Sequence, residues 1–200
     1  MLRRNCYFVN NNKRARLLYI TLVRSIFEGC STIWRPTNVT LSKKIEGIQK
    51  RAIKWILNEE SLSYSCNSVY VRKCKELSIL PMSYRFELAD LVMLHKIIHS
   101  LVPIDFPYYL SFYRSGSRLR FCHLDNLSLV SAILPRTNTS QSRTINAFAN
   151  RFFYCAHILW NQLPLKLREV SCPIEFKDSL KTHLFDKIWQ LESDDPSDSD

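Results

Sequence analysis

The chain has 200 residues, of which 46% are apolar and only three are glycine, and its formal net charge at neutral pH is +10. This length and apolar content suffice for one domain with a sizeable core or for two small lobes. Three glycines are too few for an all-β protein built on tight turns, and long stretches that mix apolar and charged residues favour helices. We therefore predict a mainly α fold, a helical bundle.

The positive charge lies before the C-terminal tail. Five of the 18 acids fall in the last nine residues, so residues 1–191 carry 28 lysines and arginines against 13 acids. Such a charge favours a polyanionic partner, because phosphate contacts release condensed counterions. A merely solubilising surface charge is the alternative explanation. The tail, residues 191–200, is too polar to fold and is predicted to be disordered.

The cysteines and the apolar runs bear on localisation. Seven cysteines without a C-x-x-C pair imply no disulfide framework. No apolar region follows the first residues as in a signal peptide, and no uncharged apolar run reaches the roughly 18 residues of a membrane span. We expect reduced thiols in a cytoplasmic or nuclear protein that contacts no membrane.

Two helices are predicted in the first third of the chain. The first covers residues 13–30, and its apolar face has a four-residue spacing at Leu18, Leu22, Ile26 and Cys30. The second covers residues 41–57. Its predicted apolar face consists of Leu41, Ile45, Ile48, Ala52 and Ile56.

Further helices are predicted over residues 64–77 and 84–102, the first ending before the Leu80–Pro81 step. The second is apolar on nearly all sides and belongs inside the bundle. From residue 103 to 145 helical periodicity fades, and this basic, irregular segment has room for short strands around residues 127–134. Helical spacing returns in two C-terminal helices, the last beginning near Pro173. The predicted organisation is a helical thumb-like region (1–102), the irregular segment (103–145), a C-terminal helical pair (146–190) and the acidic tail (191–200).

Catalytic signatures are missing from the sequence. The three glycines are too far apart for a phosphate-cradling loop, and the one adjacent pair of aspartates lies in the tail. His95 and His99 lie one helical turn apart, but seven residues separate Cys66 from Cys74, a poor spacing for zinc. The simpler interpretation is two histidines on the flank of a core helix. We predict no catalytic residue, metal or cofactor in this chain.

The second predicted helix carries a basic face. Steps of seven and four residues place three lysines nearly in line, with two further cations beside them and only Glu46 between. Such a row can follow a phosphate backbone, whereas a face tuned for stability alone normally mixes signs. A solvated helix face is the alternative. The predicted nucleic-acid-binding residues are Lys43, Lys44, Lys50, Arg51 and Lys54.

A second basic set lies in the irregular segment. Five arginines there are interleaved with Tyr113, Phe121 and His123. Arginine beside exposed aromatic rings can bind phosphate and stack on bases. Equally, Phe121 can belong to the core and the arginines can be scattered. The arginines are Arg114, Arg118, Arg120, Arg136 and Arg143.

Three segments together resemble a known family. The run from Leu18 to Trp34 resembles the "LY-x-x-LV-R-x-x-x-EY-x-x-x-x-W" stretch that follows the palm in reverse transcriptases of non-LTR retrotransposons of the jockey kind. The run from Ile45 to Ala52 resembles their "IE-x-IQ-R-RA" helix. The family's closing "R-F…LWN-x-LP…FK-x-x-L" signature is matched in this chain by Arg151, Phe152, Leu159, Trp160, Asn161, Leu163, Pro164, Phe176, Lys177 and Leu180.

Order and spacing of the three segments agree over residues 17–189. The resemblance implies the C-terminal thumb and post-palm region of an RNA-directed DNA polymerase. Its expected partners are an RNA or DNA template-primer and an upstream palm, and Mg²⁺ would belong to that palm. Phe27, Cys30 and the acidic tail depart from the family pattern. The alternative is a helical protein-interaction or structural remnant without affinity for nucleic acid.

Overall fold

The computed structural model describes residues 11–36, 38–59, 67–104, 110–112, 127–131 and 145–193. It confirms the predicted mainly helical fold class. The elements, in chain order, are α1 (Asn12–Leu18), a π-helical stretch (Tyr19–Arg24), α2 (Ser25–Glu28), α3 (Ser31–Trp34), α4 (Val39–Leu57), α5 (Asn67–Glu76), α6 (Met82–Ile98), β1 (Leu110–Phe112), β2 (Leu129–Ser131), α7 (Ile145–Asn161), α8 (Leu165–Arg168) and α9 (Pro173–Ser193).

The chain divides into two compact units. Unit 1 comprises residues 1–31, 35–86 and 184–200, and unit 2 comprises residues 32–34 and 87–183. Helices α6 and α9 each contribute residues to both units. The segment boundaries predicted at residues 102, 145 and 190 stay a prediction.

The first helix is continuous over residues 12–28 but changes its winding in the middle. At its start, Asn11 Oδ1 accepts a hydrogen bond from the backbone N of Lys13 at 2.9 Å, an asparagine N-cap. The π-helical stretch closes i→i+5 hydrogen bonds instead of i→i+4, which shifts the phase of every side chain that follows.

This phase shift overturns the predicted apolar face of the first helix. Ala15 and Tyr19 are the buried residues, whereas Leu22 is 53% exposed, Ile26 is 72% exposed and Cys30 is exposed as well. The face predicted from the four-residue spacing of Leu18, Leu22 and Ile26 is therefore wrong. The prediction assumed α-helical turns throughout, whereas a π turn contains more residues than an α turn.

Helix α6 contains a largely buried segment, as its composition predicted. Only Ser83 and Lys96 are exposed between Met82 and Ile98. The helix begins after Pro81, whose ring cannot continue a helix from the preceding turn. No helix among the described residues combines the length and the apolar character that crossing a membrane requires.

The described part of the irregular segment contains two short strands. β1 and β2 pair antiparallel, with Leu110 opposite Ser131 and Phe112 opposite Leu129. β2 falls inside the range where a strand was predicted. Leu110 and Leu129 are buried, so this small sheet places one aliphatic side chain from each strand in the core of unit 2.

Candidate nucleic-acid interface

Helix α4 carries the first predicted set of binding residues, and its ends are locally defined. Asn38 Oδ1 accepts a hydrogen bond from Thr40 N at 2.7 Å, which caps the N-terminus. Asn58 ends the helix in the left-handed conformation with φ 55°, a role that asparagine tolerates. The 19 residues between these caps form a rigid rod of about 28 Å.

The inner side of α4 is centred on a glutamine. Gln49 is fully buried, with Ile53 and Ile56 beside it. Of the predicted apolar face only Ile56 is buried, and Leu41 is 49% exposed. The buried side is therefore rotated away from the predicted one, because the core of unit 1 accepts a polar side chain at its centre.

Hydrogen bonds satisfy the side chain of Gln49. Its Oε1 accepts from Tyr19 OH at 2.9 Å, and its Nε2 donates to Tyr70 OH and to the Leu80 carbonyl, each at 3.0 Å. Burial raises the pKa of both tyrosines, so their hydroxyls stay protonated and available as donors. Burial likewise raises the pKa of the Cys74 thiol, which lies near this amide, to about 12.

The single acid on α4 points into the same network. Tyr70 OH donates a short hydrogen bond to Glu46 Oε1, which also accepts from the backbone N of Met82 at 3.1 Å. Glu46 was the one residue that interrupted the basic row in the sequence. Because its carboxylate is held by these inner donors, it pairs with none of the lysines that flank it within the described residues.

The outer side of α4 is cationic. Lys43, Lys44 and Arg51 are exposed, as predicted, and none of the three forms an ion pair with any described residue. A rotation of about 100° per residue places all three within one arc of roughly 100° on the side opposite Gln49. The exposed cations can therefore all face the same partner.

Two of the five predicted cations on α4 are less available. Lys50 and Lys54 are only partly exposed. Lys50 Nζ lies 4.8 Å from the centroid of the Tyr70 ring, within range of a cation–π interaction. Their position at the edge of the outer side means that they can assist a phosphate contact but also stabilise unit 1 itself.

The remaining acids of this region are also held by internal partners. Residues 11–86 contain 14 lysines and arginines but five acids. Glu28 lies 2.6 Å from Arg85 Nη2, and Lys73 Nζ lies 2.9 Å from Glu59 and 3.2 Å from Glu76. Each described acid of this range therefore has an inner or paired contact, and the exposed cations dominate the field.

Sequence reasoning missed four further exposed cations among the described residues of unit 1. Lys13 and Arg14 lie in the first turn of α1, and Arg72 and Lys75 lie on α5. Their signal in the sequence was the run from Lys13 to Arg16, but Arg16 has another role. Its Nε donates to the Leu77 carbonyl at 2.6 Å, just beyond the C-terminal end of α5.

The second predicted set lies outside the described residues. Arg114, Arg118, Arg120, Arg136 and Arg143 all fall in undescribed parts of the irregular segment, as do the aromatic residues interleaved with them. Their proposed contact with nucleic acid stays a prediction.

The residues that carry the family resemblance lie at structural contacts. Tyr19 of the first motif bonds Gln49 of the second, as described above. In the third motif, Trp160 Nε1 donates to the Leu127 carbonyl at 3.0 Å, and Asn161 exchanges two hydrogen bonds with the backbone of Leu129, at 2.8 and 2.9 Å. These side chains therefore hold neighbouring elements together.

Of the two histidines, His95 on α6 is a packing residue, whereas His99, just after the helix, is exposed. His95 is fully buried, and its ring stacks on Phe176 with centroids 4.2 Å apart. Its Nε2 donates to the Val170 carbonyl at 2.7 Å, so the neutral ring has its lone pair on Nδ1, which finds no partner in the described part of the chain. Burial lowers the pKa of His95.

The spacing of Cys66 and Cys74 is poor for a zinc site completed by His95 and His99. Cys74 lies in unit 1 beside Gln49, His95 lies in unit 2, and Cys66 falls outside the described residues. No group of three or more potential metal ligands occurs among the described residues.

Comparisons with profiles of protein families, with curated proteins and with solved structures gave no match.

Proposed function

We propose that this chain is a nucleic-acid-binding C-terminal region, thumb and post-palm, of a non-LTR retrotransposon RNA-directed DNA polymerase. In this proposal it lacks the catalytic palm and has no polymerase activity by itself. Its partners are an RNA or DNA template-primer and the palm encoded upstream, and any Mg²⁺ belongs to that palm. The complex would act where the element's RNA and target DNA meet, in the cytoplasm or nucleus.

One observation carries the nucleic-acid part of the proposal. On α4 the cations Lys43, Lys44 and Arg51 face outward, while the only acid, Glu46, is held by inner donors. A helix face with this separation of signs attracts phosphates and offers no carboxylate to repel them. The sequence motifs add the family likeness, which the helical fold class accommodates.

The contacts expected from this face position the duplex without reading its sequence. Lysine ammonium groups and the Arg51 guanidinium bind phosphate oxygens, and the arginine can do so through two parallel hydrogen bonds. We therefore expect similar affinity for template-primers of different sequence, with a strong dependence on salt.

The test is a fluorescence anisotropy titration of a labelled RNA–DNA template-primer between low and moderate salt. Each phosphate contact contributes about 0.9 to the slope of log affinity against log salt. If Lys43, Lys44 and Arg51 each hold a phosphate, the triple variant K43E/K44E/R51E lowers the magnitude of that slope by about 2 to 3.

A matched control comes from exposed lysines of unit 2. K166E/K177E/K181E makes the same change in net charge at three exposed lysines remote in sequence from α4. We expect it to leave the slope nearly unchanged. Equal effects of the two triple variants would reduce the proposal to general electrostatic attraction, and no duplex binding by the native chain at low salt would refute it.

A second candidate function is a helical protein-interaction module. The observation that favours it is the exposure of Leu22 and Ile26 on the first helix, since aliphatic side chains gain nothing from phosphate. This candidate predicts no salt-dependent affinity for the duplex, so the same titration distinguishes the two.

A further inference from the structure

Glu46 lies next to two lysines on α4. Lys43 precedes it by three residues and Lys50 follows it by four, and side chains at these separations are neighbours on the surface of a helix. A glutamate four residues before a lysine is the order in which such ion pairs are most favourable. The local sequence therefore favours an ion pair that would bring the carboxylate towards the cationic outer side of α4.

Donors from α5 and α6 hold the carboxylate on the inner side instead. Tyr70 OH donates to Glu46 Oε1. Oε1 also accepts from the backbone N of Met82 at 3.1 Å, and Oε2 accepts from the backbone N of Ser83 at 3.4 Å. These two residues begin α6, so the carboxylate lies at the N-terminus of that helix, where the helix dipole favours an anion. Tyr70 supplies the one side-chain donor to Glu46 among the described residues.

Tyr70 also contacts one of the lysines. Lys50 Nζ lies 4.8 Å from the centroid of its ring, within range of a cation–π interaction. The tyrosine is 2% exposed, and its hydroxyl accepts a hydrogen bond from Gln49 Nε2 at 3.0 Å, which fixes its position. One buried side chain therefore contacts both members of the possible ion pair, Glu46 through its hydroxyl and Lys50 through its ring.

We propose that Tyr70 is a positioning residue for the cationic side of α4, because it holds Glu46 and Lys50 apart. The carboxylate then neither pairs with the neighbouring lysines nor repels phosphates. This rests on the proposed function, since it explains how the binding side is kept free of negative charge. Tyr70 itself is buried and contacts no nucleic acid, so its effect on binding passes through Glu46.

The balance between the inner and outer positions of the carboxylate depends on the Tyr70 hydroxyl. A hydrogen bond to a charged group is stronger than a solvent-exposed ion pair within a helix. Without the hydroxyl, two backbone donors remain, one of them 3.4 Å away, and they compete with two lysines. Tyr70→Phe should therefore let Glu46 turn outward for part of the time, while the ring keeps its contact with Lys50.

The fluorescence anisotropy titration with the RNA–DNA template-primer tests this effect. For each lysine that Glu46 engages, Tyr70→Phe lowers the magnitude of the slope of log affinity against log salt by up to about 0.9. We expect the affinity at low salt to fall by about three- to ten-fold. Glu46→Gln removes the charge, so adding Tyr70→Phe to that variant should change neither the slope nor the affinity.

Tyr19→Phe is the matched control. It removes the other tyrosine hydroxyl that bonds Gln49 and leaves every donor to Glu46 in place, so binding should stay unchanged. A second variant leaves Tyr70 intact: Glu46→Asp keeps the charge but shortens the side chain by one methylene, so the carboxylate no longer reaches its inner donors. We expect Glu46→Asp to weaken binding and Glu46→Gln not to weaken it, with circular dichroism showing that each variant is folded.

Acetylation rates of Lys43 and Lys50 without nucleic acid separate this proposal from the proposed function. A nearby carboxylate raises the pKa of a lysine and so slows its modification. Tyr70→Phe should therefore react more slowly at one or both lysines than the native chain, and the double variant with Glu46→Gln should not. If the native chain fails to bind the duplex, the proposed function fails, but these rates still test the role of Tyr70.

Two results would overturn the role of Tyr70. One is an equal loss of duplex affinity from Tyr70→Phe in the native and Glu46→Gln backgrounds, since the hydroxyl would then act on the fold and not through the carboxylate. The other is an unchanged acetylation rate at both lysines in Tyr70→Phe.

Discussion

The two units of this molecule place their charged residues differently. In residues 11–86 of unit 1 the described acids are held inside or paired, with Glu46 bonded to Tyr70, and the cations Lys43 and Arg51 remain outside. In unit 2 charged residues of both signs are buried: Asp90 is 5% exposed, and Arg168 Nε donates to the Leu163 carbonyl at 3.1 Å. Residues 11–86 carry 14 cations against five acids, whereas residues 87–183 carry 11 against seven.

This difference shows that net charge alone does not locate a binding surface. A segment with excess cations presents them to a partner only where its acids are engaged elsewhere. Unit 1 meets this condition on α4, because Glu46 has backbone and tyrosine donors on the inner side. The buried polar centres also differ, since Gln49 in unit 1 has its hydrogen bonds made and His95 in unit 2 leaves Nδ1 without a described partner.

The largest expected effect on stability comes from replacing Gln49, the buried residue at the centre of the hydrogen bonds in unit 1. Gln49→Leu keeps the volume of the side chain but leaves Tyr19 OH and the Leu80 carbonyl buried without their partner. We expect a loss of about 3 kcal/mol in the free energy of unfolding, because each stranded polar group costs about 1 to 3 kcal/mol. Urea unfolding followed by circular dichroism measures it.

The control for this variant is Tyr19→Phe, which removes a single hydroxyl and should cost about 1 kcal/mol. If Gln49→Leu costs no more than Tyr19→Phe, the hydrogen bonds of Gln49 do not organise unit 1 as described.

A smaller loss is expected in unit 2 from Asn161→Ala. The side chain of Asn161 makes two hydrogen bonds to the backbone of Leu129 and so fixes β2 against the end of α7. Their removal should lower the free energy of unfolding by about 2 kcal/mol. The exposed neighbour Gln162→Ala is the matched control and should have little effect; equal losses in the two variants would contradict the assigned role.

The smallest effect is a dependence of stability on pH that originates in unit 2. Burial lowers the pKa of His95 below its unfolded value near 6.5, so the unfolded chain binds the proton more readily. The stability contributed by neutral His95 is thus present above pH 6.5 and is lost as pH falls below it. His95→Gln should flatten the dependence of the free energy of unfolding on pH between pH 7 and pH 5. An unchanged pH profile in this variant would show that His95 is not the source of the dependence.

Much of the helical framework could be predicted from the sequence. Apolar spacing and the proline at position 81 predicted α4 and α6 to within a few residues, because these signals act locally. The outward position of Lys43, Lys44 and Arg51 followed from helical periodicity in the same way.

The features that the sequence did not predict depend on contacts between residues distant along the chain. The π-helical stretch has no local signature, and it moved Leu22 and Ile26 from the predicted core to the surface. The burial of Gln49 depends on Tyr70 and Leu80, which are 21 and 31 residues away along the chain. Likewise, the lower exposure of Lys50 reflects its contact with the Tyr70 ring, which no periodicity within α4 predicts.

The central claim is that polyanions bind on the outer side of α4 in unit 1, and differential lysine acetylation tests it most directly on the native chain. The chain is acetylated with and without an RNA–DNA template-primer, and mass spectrometry measures the modified fraction at each lysine. We predict strong protection of Lys43 and Lys44 by the duplex and little protection of Lys177 and Lys181. Equal protection at all four lysines, or protection confined to unit 2, would contradict the account.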